Sequence, residues 1–117
     1  MTTQQVADRL IELCRKGQIL EAQEELYGDD IVCVEPPYSP APLTTGKEAV
    51  LAKGKMFAGM IEERHGGSFG DRVVMGNHFC VPTMIDATMK GMGRRKLEEI
   101  SVYQVKDGKI VMEQFFY

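Results

Sequence analysis

The run Val32-Cys33-Val34-Glu35-Pro36-Pro37-Tyr38 leaves an apolar segment on a carboxylate and stiffens at once into a proline loop. A glutamate at the lip of an apolar hollow is raised by desolvation toward the range that proton abstraction beside a carbonyl requires. The same residue at a strand end in water does no chemistry. His78 and Asp86 share the face of one extended run with Cys80, Met84 and Thr88. There His78 could shuttle a proton or orient a ligand oxygen, although a strand histidine also serves as a satisfied structural group. On the next run Glu99 keeps parity with Ser101, Tyr103 and Val105, while Glu98 goes with Ile100, Val102 and Gln104. A tyrosine hydroxyl beside a carboxylate can bind a polar ligand head or an oxyanion; cross-strand pairing with Arg94, Arg95 or Lys96 is the structural alternative. The candidate catalytic set is Glu35, His78 and Asp86. Tyr103, Glu99, Met84 and Phe57 are candidate ligand contacts.

Other chemistries find no support. His65 follows Glu62-Glu63-Arg64 in a last helical turn, where a cation suits the helix dipole. Neither His65 nor His78 has a neighbour at metal-ligand spacing, so no metal is expected. There is no glycine-rich phosphate loop, nucleophile elbow or dinucleotide fingerprint, and no cofactor is expected. Cys14, Cys33 and Cys80 are scattered and odd in number, which fits packed thiols in a reducing compartment. The eight methionines, Met56, Met60, Met84 and Met112 among them, fill a core or an adaptable pocket.

The elements that must position these residues follow from pattern. The 117 residues make one domain, 1–117, with 44% hydrophobic and 26% charged residues and a formal net charge of -3. The basic run Arg94-Arg95-Lys96 follows a glycine turn without interleaved aromatics, so nucleic acid is not an expected partner. No segment has the character of a leader or a membrane span, and a cytoplasmic protein is expected. Thr2 and Gln5 form a capping-box pattern ahead of Val6, Leu10, Leu13 and Cys14 at helical spacing. A second helix carries Ile19, Ala22 and Leu26, and Gly28-Asp29-Asp30 is read as its end. Ile31 to Glu35 is a strand. Thr45 and Glu48 repeat the capping pattern before a longer helix, with Val50, Gly54, Phe57 and Ile61 inward, ending near Arg64 at Gly66-Gly67. From Ser68 four extended runs are separated by Gly76-Asn77, Gly91-Met92-Gly93 and Asp107-Gly108. Pro82 is expected to mark a bend or bulge.

The predicted order is α-α-β-α-β-β-β-β. Three helices, each with one apolar stripe, must cover one face of a curled antiparallel sheet, leaving a tapered hollow for a small molecule.

Three stretches, "YGDDIVCVEPP", "TTGKEAVLAKGKMF" and "YQVKDGKIVMEQFFY", together resemble the cone-shaped superfamily of nuclear transport factor two, in its SnoaL-like and ketosteroid-isomerase-like branch. The resemblance covers nearly the whole chain and implies an α+β cone. It also implies that Glu35, a carboxylate just before a proline after the first strand, stands where ketosteroid isomerases keep their general base. The oxyanion-hole tyrosine of those enzymes falls near Leu10, which has no donor, and their second oxyanion donor falls near Ser101. Steroid isomerisation is therefore not expected, and the aspartate–arginine–aspartate pattern of epoxide hydrolases is not recognisable. If the position of Ser101 holds, Glu99 and Tyr103 point inward. The fold hosts many functions. What remains is either a cofactor-independent isomerase, cyclase or lyase acting on a small organic molecule, or a non-catalytic ligand-binding or interaction module. Both alternations of the sheet strands are apolar, so a homodimer through the uncovered face is expected.

Overall fold

A computed structural model describes residues 1–117. Helix α1 (Thr3–Arg15) starts at the expected box: Gln5 N–H donates to Thr2 Oγ1 at 3.1 Å, and Thr2 N–H to Gln5 Oε1 at 2.9 Å. Its inner face buries Val6, Ala7, Leu10, Ile11, Leu13 and Cys14. Helix α2 (Ile19–Leu26) buries Ala22 and Leu26 and passes directly into strand β1 (Tyr27–Val34), so Gly28-Asp29-Asp30 is strand rather than a helix end. The apolar spacing of α2 stops at Leu26, and Tyr27 is already extended, with φ -79° and ψ 134°.

After the proline loop come the short β2 (Leu43–Thr45) and helix α3 (Lys47–Gly59). The cap of α3 is Gly46, not Thr45, which is held in the strand by pairing with Val32. The helix is shorter than the spacing suggests. Residues expected to continue it form β3 (Ile61–Phe69), which pairs with β5 (His78–Met89). Ladder hydrogen bonds along β5 outweigh a weak helical preference in the Glu62–His65 run, a tertiary override of local propensity. Gly67 serves that pairing, since a Cβ there would meet the Met84 carbonyl oxygen at 2.9 Å. In α3, Gly54 lets the helix sit against α2, because a Cβ would lie 2.8 Å from Gln23 Oε1. That close approach sets the position of Lys53.

The remaining strands are β4 (Val73–Met75), β6 (Gly93–Lys106) and β7 (Lys109–Phe116). The sheet runs β2-β1-β7-β6-β5-β3, and β4 continues the β3 edge of β5. It is mixed rather than wholly antiparallel, because β1 and β7 run parallel. Asp107 and Gly108, with φ 51° and 76°, make the expected tight hairpin that sets Tyr103 opposite Glu113. Pro82 causes no bulge: the β5–β6 register is continuous from His78 to Met89. Its carbonyl faces the outer edge and accepts from Gly70 N–H at 2.8 Å. Its missing N–H faces that edge too, where no ladder bond is lost.

Three helices thus lie on the inner face of a curled, open sheet, an α+β cone. Leu26, Ile31, Phe79, Val81 and Ile110 are no more than 2% exposed and join the α1 and α2 stripes in one core of 17 buried residues. Each such side chain contributes about 1.5–3 kcal/mol on burial. No helix is long and apolar enough to cross a membrane.

Candidate functional site

The register places three rows of side chains across the inner face. Phe79, Tyr103, Glu113 and Cys33 are consecutive cross-strand partners. Val81, Ser101 and Phe115 form the next row, extended by Glu35 two residues beyond Cys33. Thr83 and Glu99 form a third, and Tyr117 follows Phe115 by two. Lys53 reaches this surface from α3.

Glu35 stands at the strand exit with its side chain 17% exposed and 3.3 Å from Lys53 Nζ. Ser39 Oγ donates to its carboxylate at 3.2 Å. The Glu35 N–H donates to the Pro42 carbonyl at 2.9 Å, closing the proline loop. Lys53 Nζ also donates to Cys33 Sγ at 3.1 Å. Burial pulls the ammonium down, but the contacts with Cys33 and Glu35 outweigh it, and Lys53 is held above the usual lysine value. Cys33 is pushed up to about 12 by burial, with the Glu113 charge adding, so its thiol stays neutral.

Glu113 is 2% exposed. It accepts a hydrogen bond from the buried Tyr27 hydroxyl. Burial raises its carboxyl, against the opposing bonds from Tyr27 and Cys33 and the Lys53 charge. Glu99 is also raised, to about 7, first by burial and then by the charges of Glu35 and Glu113, with Lys53 opposing. Tyr103, 8% exposed and stacked on Phe79 with ring centroids 4.8 Å apart, is driven well above its ordinary value by burial and by Glu113. It is a hydroxyl donor. At the rim Tyr38 donates to the Tyr117 backbone oxygen, and the two rings meet edge to face at 6.1 Å.

Of the residues singled out in the sequence, Glu35, Glu99 and Tyr103 come together here. His78, Asp86 and Met84 do not. They take the opposite parity to Phe79, Val81 and Thr83 and lie on the outer face. There His78 is exposed, and Asp86 binds Arg94 at 2.9 and 3.0 Å, which lowers its carboxyl. Met84 lines an open outer depression of about 390 Å³ with Pro82, Ile100 and Phe116. Phe57, expected on the inner stripe of its helix, is 39% exposed. His65 bonds Thr88 Oγ1 at 2.7 Å on the sheet. No three His, Cys, Asp or Glu side chains are arranged to hold a metal ion.

Sequence reasoning missed Lys53, Glu113 and Tyr27. The signal for Glu113 was present: it alternates with Phe115, opposite Tyr103. Lys53 follows the inward Val50 by three residues and so lies on the same side of the helix. A second depression of about 530 Å³, between α1 and the turn before β4, is lined by opposing charges including Asp8, Glu12, Arg15 and Arg72. Glu99, with Glu98 and Thr83, also lines the first depression, whereas Glu35, Lys53, Tyr103 and Glu113 line neither.

A family model described as a SnoaL-like domain matches residues 1–117. A crystal structure from Mesorhizobium loti, of a candidate SnoaL-like polyketide cyclase, is 35% identical, covers 100% of both chains and superposes with a TM-score of 0.94. A protein of unknown function with a cystatin-like fold from Xanthomonas campestris is 16% identical, with a TM-score of 0.82 over 99% of this chain and 90% of its own. A protein with a ketosteroid isomerase-like fold from Catenulispora acidiphila, in complex with trimethylamine, is 15% identical, with a TM-score of 0.74 over 96% and 84%. These last two share the fold alone. No curated protein matches.

Proposed function

Since the chain belongs to the SnoaL-like domain family, whose fold serves polyketide cyclases and isomerases, we propose that it is an enzyme moving a proton on a small, largely apolar carbonyl compound, with Glu35 as general base. The observation that carries this reading is the pair of carboxylates in unlike surroundings brought close on the inner sheet face. Glu35 is ion-paired to Lys53 at 3.3 Å, while burial and the neighbouring carboxylates push Glu99 up to about 7, so it keeps its proton far more readily than an ordinary glutamate. Environments that separate two carboxyls in this way assign a base and an acid.

The step balances without a further reactant. Glu35 takes a proton from the carbon beside the carbonyl, and the resulting enolate oxygen accepts a hydrogen bond or a proton from Glu99. The Tyr103 hydroxyl and the Lys53 ammonium add donors to the same hollow. Returning the proton to another carbon gives isomerisation; attack of the enolate carbon on a second carbonyl of the same molecule gives cyclisation, with Glu99 protonating the new alkoxide.

The ion pair on Glu35 also suits a binding module of the same fold, in which the carboxylate is never free. Titration with neutral 1,3-dicarbonyl probes in heavy water separates the two. Amide shifts at the hollow with loss of the central C–H signal faster than buffer support the enzyme. Shifts with no exchange above buffer support the binding module.

A further inference from the structure

The acid–base pair leaves unexplained why a third carboxylate is buried beneath it. Glu113 lies on the inner face of the sheet at 2% exposure, between Tyr103 on one neighbouring strand and Cys33 on the other. Packing alone would favour an apolar residue there, since a buried carboxylate costs stability unless its lone pairs are satisfied. Its partners satisfy it selectively. The Tyr27 hydroxyl donates to it from the start of β1, Cys33 is its cross-strand neighbour, and Lys53 on α3 acts on it as a nearby positive charge. All three favour a negative charge, in opposition to burial, which raises the carboxyl. Cys33 and Lys53 touch each other at 3.1 Å, and Lys53 touches Glu35 at 3.3 Å, so the cross-strand neighbour of Glu113 is joined through Lys53 to the base.

We propose that Glu113, anchored by Tyr27, is a positioning residue: its fixed negative charge keeps Lys53 turned into the hollow and keeps the proton on Glu99. This rests on the acid–base reading of the hollow and adds what regulates it. Titratable groups face the pair from several elements. Glu99 is faced by Glu35 at the exit of β1, Lys53 from α3, Glu113 from β7, Tyr103 on its own strand and Tyr117 at the rim. Glu113 is faced by Tyr27 and Cys33 from β1, Tyr103 from β6, and Lys53 and Glu35; Cys14 of α1 borders the two tyrosines. Lys53 is the one cation among them. Removing the Glu113 charge therefore leaves Lys53 to act on Glu35 and Glu99 alone, and Glu99 gives up its proton more readily.

The test is a carbon-detected NMR titration of the glutamate side-chain carboxyls, which needs no substrate and so stands apart from the proton-transfer assay. In the unsubstituted protein Glu113 is expected to ionise at lower pH than Glu99. In Glu113→Gln the Glu99 midpoint is expected to fall by about one pH unit, the effect of one charge on the order of 10 Å away at an effective dielectric constant of about 20. Tyr27→Phe keeps the carboxyl but removes its anchor: Glu113 should then ionise at higher pH and Glu99 at lower pH than before. Glu113→Asp should restore part of the Glu99 shift. Glu113 ionising above Glu99 in the unsubstituted protein would overturn the proposal. So would an unmoved Glu99 midpoint in a folded Glu113→Gln or Tyr27→Phe variant.

Discussion

Replacing Glu99 by Gln should stabilise the protein, and increasingly so as the pH rises. In the folded protein burial and the neighbouring carboxylates penalise the charge of the Glu99 carboxyl and push it up to about 7, against an ordinary 4.5. Between those two values the folded state holds a proton that the unfolded chain has lost, so stability falls as pH rises through the window. Below pH 4.5 both states are protonated and nothing is lost; above pH 7 the full penalty is present. At about 1.4 kcal/mol for each pH unit the window is worth about 3 kcal/mol, which partial solvent access trims to about 2 kcal/mol. Gln mimics the protonated side chain and does not titrate. The stability gap between Glu99→Gln and the unsubstituted protein, measured by urea melts from pH 4.5 to 8, should therefore widen by about 2 kcal/mol, and Tm at pH 8 should rise by several degrees. A gap that does not change with pH, or that narrows as pH rises, would refute the assignment of Glu99 as a carboxyl forced to hold its proton.

Lys53→Met keeps the aliphatic stem but leaves Glu35, 17% exposed, without its cation; urea melts at pH 7 should show a loss of about 1–3 kcal/mol, between the values for surface and buried pairs. Leu26→Ala, at a site 1% exposed between helix and sheet, should cost about 3 kcal/mol in the same assay, and a loss below 1 kcal/mol would contradict the packing described. We propose that two chains associate through the outer sheet face, where Ile100 and Phe116 are 51% and 50% exposed. Light scattering should give twice the 13.1 kDa of one chain, reverting toward one chain in Phe116→Glu; a single-chain mass for the unsubstituted protein would exclude the dimer.

Those elements whose signals are local were legible in the sequence. The capping box at Thr2, the apolar stripe of α1 and the Asp107-Gly108 hairpin each rest on contacts within a few residues, and each stands where the pattern puts it. The end of α3 was not legible, because the strand that replaces its last turns is held by β5, more than twenty residues away along the chain. The same distinction runs through the site. Glu35 could be read from a strand exit followed by prolines, and Glu99 with Tyr103 from the parity of one strand. Which face of β5 turns inward depends on pairing with β6, and apolar residues on that strand gave the answer that the polar ones obscured: Phe79, Val81, Ile85 and Ala87 face the core, so His78 and Asp86 cannot. Lys53 acts on Glu113 only because α3 packs on β1, the neighbour of β7, and no spacing rule connects residues 60 positions apart.

Glu35 is the base in the proposed reaction, and exchange of the carbon-bound proton measures that role directly. Proton NMR in heavy water at pH 7 follows loss of the central C–H signal of a neutral 1,3-dicarbonyl probe, with unsubstituted protein, Glu35→Gln and buffer compared side by side. The unsubstituted protein should exchange the proton faster than buffer, and Glu35→Gln, folded and still binding the probe, should lose about a hundredfold to ten-thousandfold of that enhancement. Equal exchange in the variant and the unsubstituted protein would contradict the account.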